Sequence, residues 1–344
     1  MNKKIKNVTI YDVAREAGVS TSTVSRTLRD EGYPVSSKTR EKVYEAVKKL
    51  NYDIEIYEKK QEDRSEKRIA VVVPNIINPY YSTLITGVEY NLHVSGMEMV
   101  LYSTGGSKDK EVSVVEDIVE SKPLGVIIIS ICENHDHIQK LIDANISVVA
   151  CEQSIDLDCN SVTFNFFEGG LMATEYLISK GKKKIAFISS PLDRYSRISL
   201  FNGYKKALKR NSIELDKKLI KISKTEKPSG VEMFEFKNGK DQIDALIREK
   251  NIPDAIFCIN DITAIGVIQR LKECGYDIPG DISVIGFDNI YISSMIYPSL
   301  TTIDQSTYEL GTMATEILLG SINDSARGNV STVLEPKLII RDSV

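Results

Sequence analysis

From Ile69 onward the chain alternates short, nearly continuous apolar runs with longer segments of helical period. The runs are IAVVVP (69–74), MEMVLYS (97–103), GVIIIS (125–130), ISVVAC (146–151), KIAFIS (184–189), AIFCI (255–259) and ISVIGF (282–287). They are rich in Ile and Val and lack a polar face, so they read as strands buried on both sides, as in parallel sheets covered by helices. Seven such runs exceed one comfortable sheet, which predicts two similar lobes. Ligands of open α/β sheets bind beyond the carboxyl ends of the strands, and with two lobes that place is the cleft between them.

Residues 9–52 follow a different pattern. Thr9 and Asp12 form an N-cap and N3 pair that opens a helix through Val13, Ala14 and Ala17, and Gly18 stops it. Ser20 caps a second helix, TSTVSRTLRD. After Gly32-Tyr33-Pro34, Ser36 or Ser37 caps a third, with Val43, Ala46, Val47 and Leu50 on one face. Two short helices joined by a tight Gly-containing turn let the second enter a DNA major groove, whose width suits one α-helix. Periodicity alone fits a generic three-helix bundle equally well.

The stretch DIEIYEKKQEDRSEKR (53–68) holds 6 acids and 5 bases and reads as a linker. Charge is spread unevenly: residues 1–52 carry 11 Lys/Arg against 6 Asp/Glu, whereas the whole 344-residue chain has a net charge of −4. A basic head on an acidic body suits contact with phosphates. The 5 cysteines are odd in number and several sit in apolar runs, which predicts reduced thiols in a cytoplasmic protein. No secretory start and no membrane-length apolar run occur, so no membrane association is expected.

Several chemistries lack their usual signals. The sequence has no G-x-x-x-x-G-K-[ST] and no G-x-G-x-x-G after a strand, so no nucleotide or other cofactor is expected. His135 and His137 read as part of a solvent-facing loop, and no metal site is expected there. The lysines of GKKKIAF (181–187) read as solvated positions leading into a strand. No acid/base pair stands out for catalysis, and the chain is not expected to be an enzyme.

The segment TIYDVAREAGVSTSTVSRTLRDEGYPVSSKTREKVYEAVKKLNY resembles the head of the lactose-repressor (LacI/GalR) family of bacterial regulators. The body resembles the same family in VVVPNIINPYYSTLITGVE, IND (259–261), DISVIGFDN, PSLTTIDQSTYELG and LEPKLIIRDS. The resemblance implies an α/β chain with an N-terminal three-helix helix-turn-helix head and a two-lobed periplasmic-binding-protein-like (type I) body with parallel sheets. The corresponding domains are a DNA-binding head at 1–52, a linker or hinge at 53–68 and an effector-binding and dimerisation body at 69–344. Within the body, 69–164 and 292–324 are assigned to the N-lobe, and 165–291 and 325–344 to the C-lobe.

The resemblance also implies a set of site residues. Thr21 and Ser22 take the base-reading positions of the recognition helix, and Arg26 the position of a guanine partner. Thr9, Tyr11, Ser20, Thr23, Ser25 and Tyr33 are implied as further DNA-contacting groups, mainly to phosphate. For the effector, Tyr80 and Tyr81 supply aromatic faces, and Glu152, Asn260 and Asp288 supply polar groups for vicinal hydroxyls.

In two places the sequence departs from the family pattern. The arginine usual three residues before the glycine of SLFNGYKKAL is Leu200, with Arg197 or Arg194 as substitutes; this leaves room for an atypical ligand or a protein corepressor. In the linker, Ile54 and Gln61 stand where a proline and a groove-wedging leucine are usual, and Glu55, Glu58 and Glu62 oppose entry into a negative minor groove.

The expected function is a repressor of transcription acting as a homodimer on double-stranded operator DNA under control of a sugar-like effector. No leucine heptad follows to Val344, which favours a dimer over a tetramer. A solute-binding protein for transport and a sugar-processing enzyme are the rival readings on the same scaffold.

Overall fold

A computed structural model describes residues 8–29, 35–52, 67–152, 156–225, 233–324 and 328–344. The chain divides into two compact units, Met1–Glu66 and Lys67–Val344.

In the first unit three helices form, α1 (Ile10–Ala17), α2 (Thr21–Arg29) and α3 (Ser37–Leu50). Each starts where a side chain satisfies amides that the first turn leaves unpaired. Asp12 Oδ2 accepts from the Thr9 amide at 3.0 Å and from its hydroxyl at 2.7 Å. Ser20 Oγ accepts from the Thr23 amide, and Ser36 Oγ from that of Thr39. Gly18 ends α1 in the left-handed region (φ 66°), a conformation that costs glycine nothing. Val13, Val24 and Val43, one from each helix, are completely buried, with Ala14, Ala17, Leu28, Ala46 and Val47 around them. Tyr33 and residues 53–66 lie outside the described residues, so the hinge expectation built on Ile54, Glu55, Glu58, Gln61 and Glu62 does too.

All seven apolar runs of the second unit are strands. The first sheet contains β1 (Arg68–Val73), β2 (Glu98–Ser103), β3 (Gly125–Ile128), β4 (Ser147–Cys151), β5 (Asn160–Phe164) and β11 (Ser331–Leu334), in the order β11-β5-β4-β3-β1-β2 and all parallel. The second contains β6 (Ile185–Ser189), β7 (Ile220–Ile222), β8 (Ala255–Cys258) and β9 (Ser283–Ile285), ordered β7-β6-β8-β9 and also parallel. Side chains alternate between the faces of a strand. In β1, Ile69, Val71 and Val73 therefore join one core while Ala70 and Val72 join the core on the opposite face. In β8, Ala255 and Phe257 face one core and Ile256 and Cys258 the other. Both faces are covered, which is why these strands read as unbroken apolar runs.

One boundary needs correction. The segment 325–344 was expected with the C-lobe, yet Ser331–Leu334 pairs with β5 on the edge of the first sheet. Only the next strand, β12 (Lys337–Ile339), leaves that sheet, pairing antiparallel with β10 (Thr302–Asp304).

The covering helices that reach the cleft are α4 (Pro79–Val94), α7 (Phe166–Ser179), α8 (Tyr195–Arg210), α9 (Phe234–Arg248) and, through its cap, α10 (Asp261–Glu273). Others are α5 (Lys108–Ser121), α6 (Asp136–Asp143) and α11 (Thr307–Asn323). Helices α7 and α8 touch backbone to backbone: a Cβ at Gly203 would stand 2.2 Å from the Phe167 carbonyl, and one at Gly170 2.3 Å from that of Leu200. This close crossing helps place Phe166 and Arg197, at the amino-terminal ends of the two helices, in the lining of one cleft.

Candidate functional site

The head offers an exposed helix face. Val24, Thr27 and Leu28 of α2 turn inward, and Thr27 Oγ1 donates to the Thr23 carbonyl at 2.8 Å. Ser22 and Arg26, four residues apart and hence on one side of the helix, are exposed; Thr21, Thr23 and Ser25 are half-buried. Thr9 is exposed and Tyr11 is 69% exposed, a high value for an aromatic ring with no packing role. Ser20 is the cap of α2, and its hydroxyl lies 2.8 Å from those of both Ser22 and Thr23. The described DNA candidates thus occupy the first turns of α1 and α2 and the outer side of α2.

In the body, one cleft brings together all six sequence-predicted effector residues: Tyr80, Tyr81, Glu152, Arg197, Asn260 and Asp288. Its empty space, mouth included, is about 680 Å³. Asn78 Oδ1 accepts from the Tyr80 amide at 3.0 Å and Pro79 opens α4, so the two tyrosines sit on its first turn beyond β1. Their rings meet edge to face at 5.2 Å. Asn260 also caps a helix, accepting from the Thr263 amide at 2.9 Å. The two carboxylates that follow strand ends lie on left-handed backbone, Glu152 at φ 67° and Asp288 at φ 119°. Non-glycine residues rarely tolerate such angles, and strain of this kind collects at ligand sites.

The arginine question is answered in part. Leu200 is buried in the second lobe's core, and both Arg194 and Arg197 line the cleft. Arg197 donates to the Pro191 carbonyl at 3.1 Å and to Asp193 Oδ1 at 3.2 Å.

Sequence reasoning missed Phe166, Glu235 and Gln305, all of which line the cleft. Phe166 stacks on Phe287 with ring centres 6.2 Å apart, and Gln305 Nε2 donates to Asp288 Oδ1 at 2.6 Å. Phe166 directly follows the cap Asn165 after β5. It was findable once that strand had been recognised.

Cleft electrostatics are unusual. Burial pushes the carboxyls of Glu152 and Asp288 above their ordinary range, Asp288 strongly, and the nearby acids Asp261 and Glu152 push Asp288 further. Burial likewise raises the Tyr80 and Tyr81 hydroxyls, with Glu152 adding to both. The Tyr80 hydroxyl and Glu152 Oε1 influence one another without meeting hydrogen-bond geometry. Each is buried without a partner, as is Gln305 Oε1.

His137 requires a second correction. Read as part of a solvent-facing loop, it is 4% exposed, and its Nε2 lies 2.8 Å from Glu111 Oε1. Glu111 is 26 residues away in the chain, so local spacing could not reveal the pair.

A model of bacterial regulatory proteins of the lacI family matches residues 9–53, and one of a periplasmic binding protein-like domain matches residues 174–344. The chain is 33% identical over 340 residues to the HTH-type transcriptional repressor PurR of Vibrio atlanticus (strain LGP32), covering 98% of each. Among solved structures, it resembles the lac repressor dimer bound to operator and the anti-inducer ONPF at 27% identity. The TM-score is 0.71, covering 98% of this chain and 99% of that one. A complex of the transcriptional regulator CelR with cellobiose matches at 26% identity and TM-score 0.72, covering 98% of this chain and 100% of that one.

Proposed function

Because the chain belongs to the lacI family of bacterial regulatory proteins, it is a transcriptional regulator, and we propose that it represses by binding operator DNA as a homodimer. Its effector is a hydroxyl-rich small molecule, a sugar or sugar derivative, held between the two lobes. The observation that carries the effector reading is the set of buried, unpartnered polar atoms around the cleft: Tyr80 Oη, Glu152 Oε1 and Gln305 Oε1. Buried polar groups are costly unless bonded, and a ligand's hydroxyls are suitable partners. The aromatic faces of Tyr80, Tyr81 and Phe166 suit the apolar side of a sugar ring. Arg194, Arg197, Glu235, Asn260 and Asp288 would give it orientation.

On DNA, Thr21, Ser22 and Arg26 read bases, while Thr9, Tyr11, Ser20, Thr23, Ser25 and Tyr33 position the head on phosphates. Effector binding changes the angle between lobes and so the spacing of paired heads; a coupling of roughly 1–3 kcal/mol is enough for control. Cytoplasmic residence follows from the target. Among the described residues no helix is long and apolar enough to cross a membrane.

Selecting duplexes from a random pool with the full chain should yield a near-palindromic site. Arg26→Ala should then cost roughly 1–3 kcal/mol and relax preference at one base pair per half-site. Equal binding to all duplexes at moderate salt would refute the reading. In a thermal-shift screen of sugars, sugar acids and sugar phosphates, a true effector at 100 times its dissociation constant should add about 2.7 kcal/mol of stability. Glu152→Gln should weaken that shift; an unchanged shift would move the effector elsewhere.

A further inference from the structure

Behind the cleft wall lies a second polar cluster that DNA and effector binding leave unused. Glu111 of α5 is completely buried, His137 of α6 is 4% exposed, and Cys132, between β3 and α6, is 8% exposed. Their ligating atoms all lie within 4.8 Å of one another. His137 Nε2 and Glu111 Oε1 are 2.8 Å apart. The Cys132 thiol makes a long contact, 3.9 Å, to the Lys108 carbonyl, and it also interacts with Glu111 and Ser130. Nearby, His135 keeps its Nε2 buried with no hydrogen-bond partner, and it feels the charges of both His137 and Glu111.

A purely structural role explains part of this cluster. Glu111 Oε2 accepts from the Ile131 amide at 2.9 Å and Oε1 accepts from the Ser130 hydroxyl, which braces the loop after β3. Such bracing needs neither a thiol nor a second imidazole with a bare nitrogen. We infer that Glu111, Cys132 and His137 form a binding site for a divalent transition-metal ion of the zinc class, with His135 Nε2 or a water as fourth ligand.

The chemistry of the donor set selects this class. One thiolate, one carboxylate and one or two imidazoles form a borderline-soft set that suits zinc and excludes magnesium and calcium, which take oxygen alone. Ligand atoms 2.0–2.3 Å from a tetrahedral ion stand roughly 3.3–3.8 Å apart, so the triad closes with shifts of about 1 Å. Charge favours occupancy as well: thiolate and carboxylate neutralise the ion, which a buried site demands. On binding, the Cys132 S–H bond breaks and a sulfur–metal bond forms, releasing one proton to solvent. His137 binds through the Nε2 lone pair with its ring proton on Nδ1, and Glu111 supplies a carboxylate. Because Glu111 also holds Ser130 and Ile131, which line the cleft, the ion would act directly on the cleft wall.

Cobalt(II) titration of the reduced full-length chain tests this. We expect one ion per chain with a near-ultraviolet thiolate-to-cobalt charge-transfer band, displaced by zinc. The band should vanish in Cys132→Ser, remain in Cys274→Ser, whose cysteine is exposed, and need at least about tenfold more cobalt in His137→Gln. Zinc should raise the melting temperature of the wild type but not of Cys132→Ser. No band in the wild type overturns the inference, as does a band that survives in Cys132→Ser. Cobalt bound without a thiolate band overturns it too, by placing the ion on carboxylates elsewhere. The wild-type spectrum alone decides if a variant fails to fold.

Discussion

Asp261→Ala is expected to lower the stability of the body by roughly 3–9 kcal/mol, because three buried donors lose one shared acceptor at about 1–3 kcal/mol each. Asp261 is completely buried at the start of α10. Its Oδ2 accepts from the Ile290 amide at 3.0 Å and the Ser293 hydroxyl at 2.6 Å, and its Oδ1 from the Thr302 hydroxyl at 2.6 Å. These bonds tie the segment after β9 and strand β10 to the end of β8. Asp288, the cleft carboxylate, lies on that segment, so the knot positions the site as well as the fold. Asp261→Asn serves as the control. Burial pushes the Asp261 carboxyl up to about 7, and near neutrality asparagine copies its protonated form, with the Thr302 hydroxyl turning to accept. The asparagine variant should therefore lose far less in urea unfolding. A cost below about 1 kcal/mol for alanine would show that the three donors find other partners.

The contrast between these buried carboxylates and the strands around them shows what a linear sequence reveals. Strands β1, β3, β4, β6 and β8 stood out because both their faces are buried, leaving runs of Ile, Val, Ala and Phe. Strand β5 escaped because Asn160, Val162 and Phe164 are buried while Ser161 and Thr163 are not, so polar residues interrupt the apolar signal. Strand β11 escaped for a related reason, being a half-exposed edge. Its return to the first sheet is a crossover that no local pattern encodes.

Among the cleft residues, Tyr80, Glu152, Asn260 and Asp288 were legible through the family resemblance, and each also follows a strand end, where fold geometry places ligands. Gln305 directly follows β10, a strand of three residues too short to register as an apolar run, and Glu235 lies in the first turn of α9. Glu111 and His137 belong to the same class of miss: a buried pair is a fact of packing between two helices, and hydrophobic period registers it only as noise. Thr9, Asp12, Ser20 and Ser36 were legible for the opposite reason, since a cap acts within four residues.

The same buried acids set the second large effect: between pH 5 and pH 8 the ligand-free chain should lose on the order of 3 kcal/mol of stability through Asp261 alone, with Asp288 and Glu152 adding to the loss. Unfolded Asp and Glu release their protons near their ordinary values, 3.8 and 4.5. Folded Asp261 keeps its proton to about 7, and Asp288 and Glu152 also release theirs above the ordinary range. Between those limits the native state binds more protons than the unfolded one, so stability is full in mild acid and falls as pH rises through the folded values. Each extra bound proton contributes about 1.4 kcal/mol per pH unit. Two groups oppose the trend on the acid side. Glu111, its carboxyl lowered against the cost of burial by bonds to His137, Ser130 and Ile131, loses stability only below about its ordinary value. Burial lowers His135, whose contribution is lost as pH falls below 6.5. Urea unfolding at a series of pH values should therefore show a maximum near pH 5 and a decline beyond it, and Asp288→Asn should flatten the decline. A curve that is level or rises from pH 5 to pH 8 would mean that the cleft acids ionise freely. A ligand that engages Asp288 as a carboxylate must then expel its proton, so such a ligand binds more tightly at pH 8 than at pH 6.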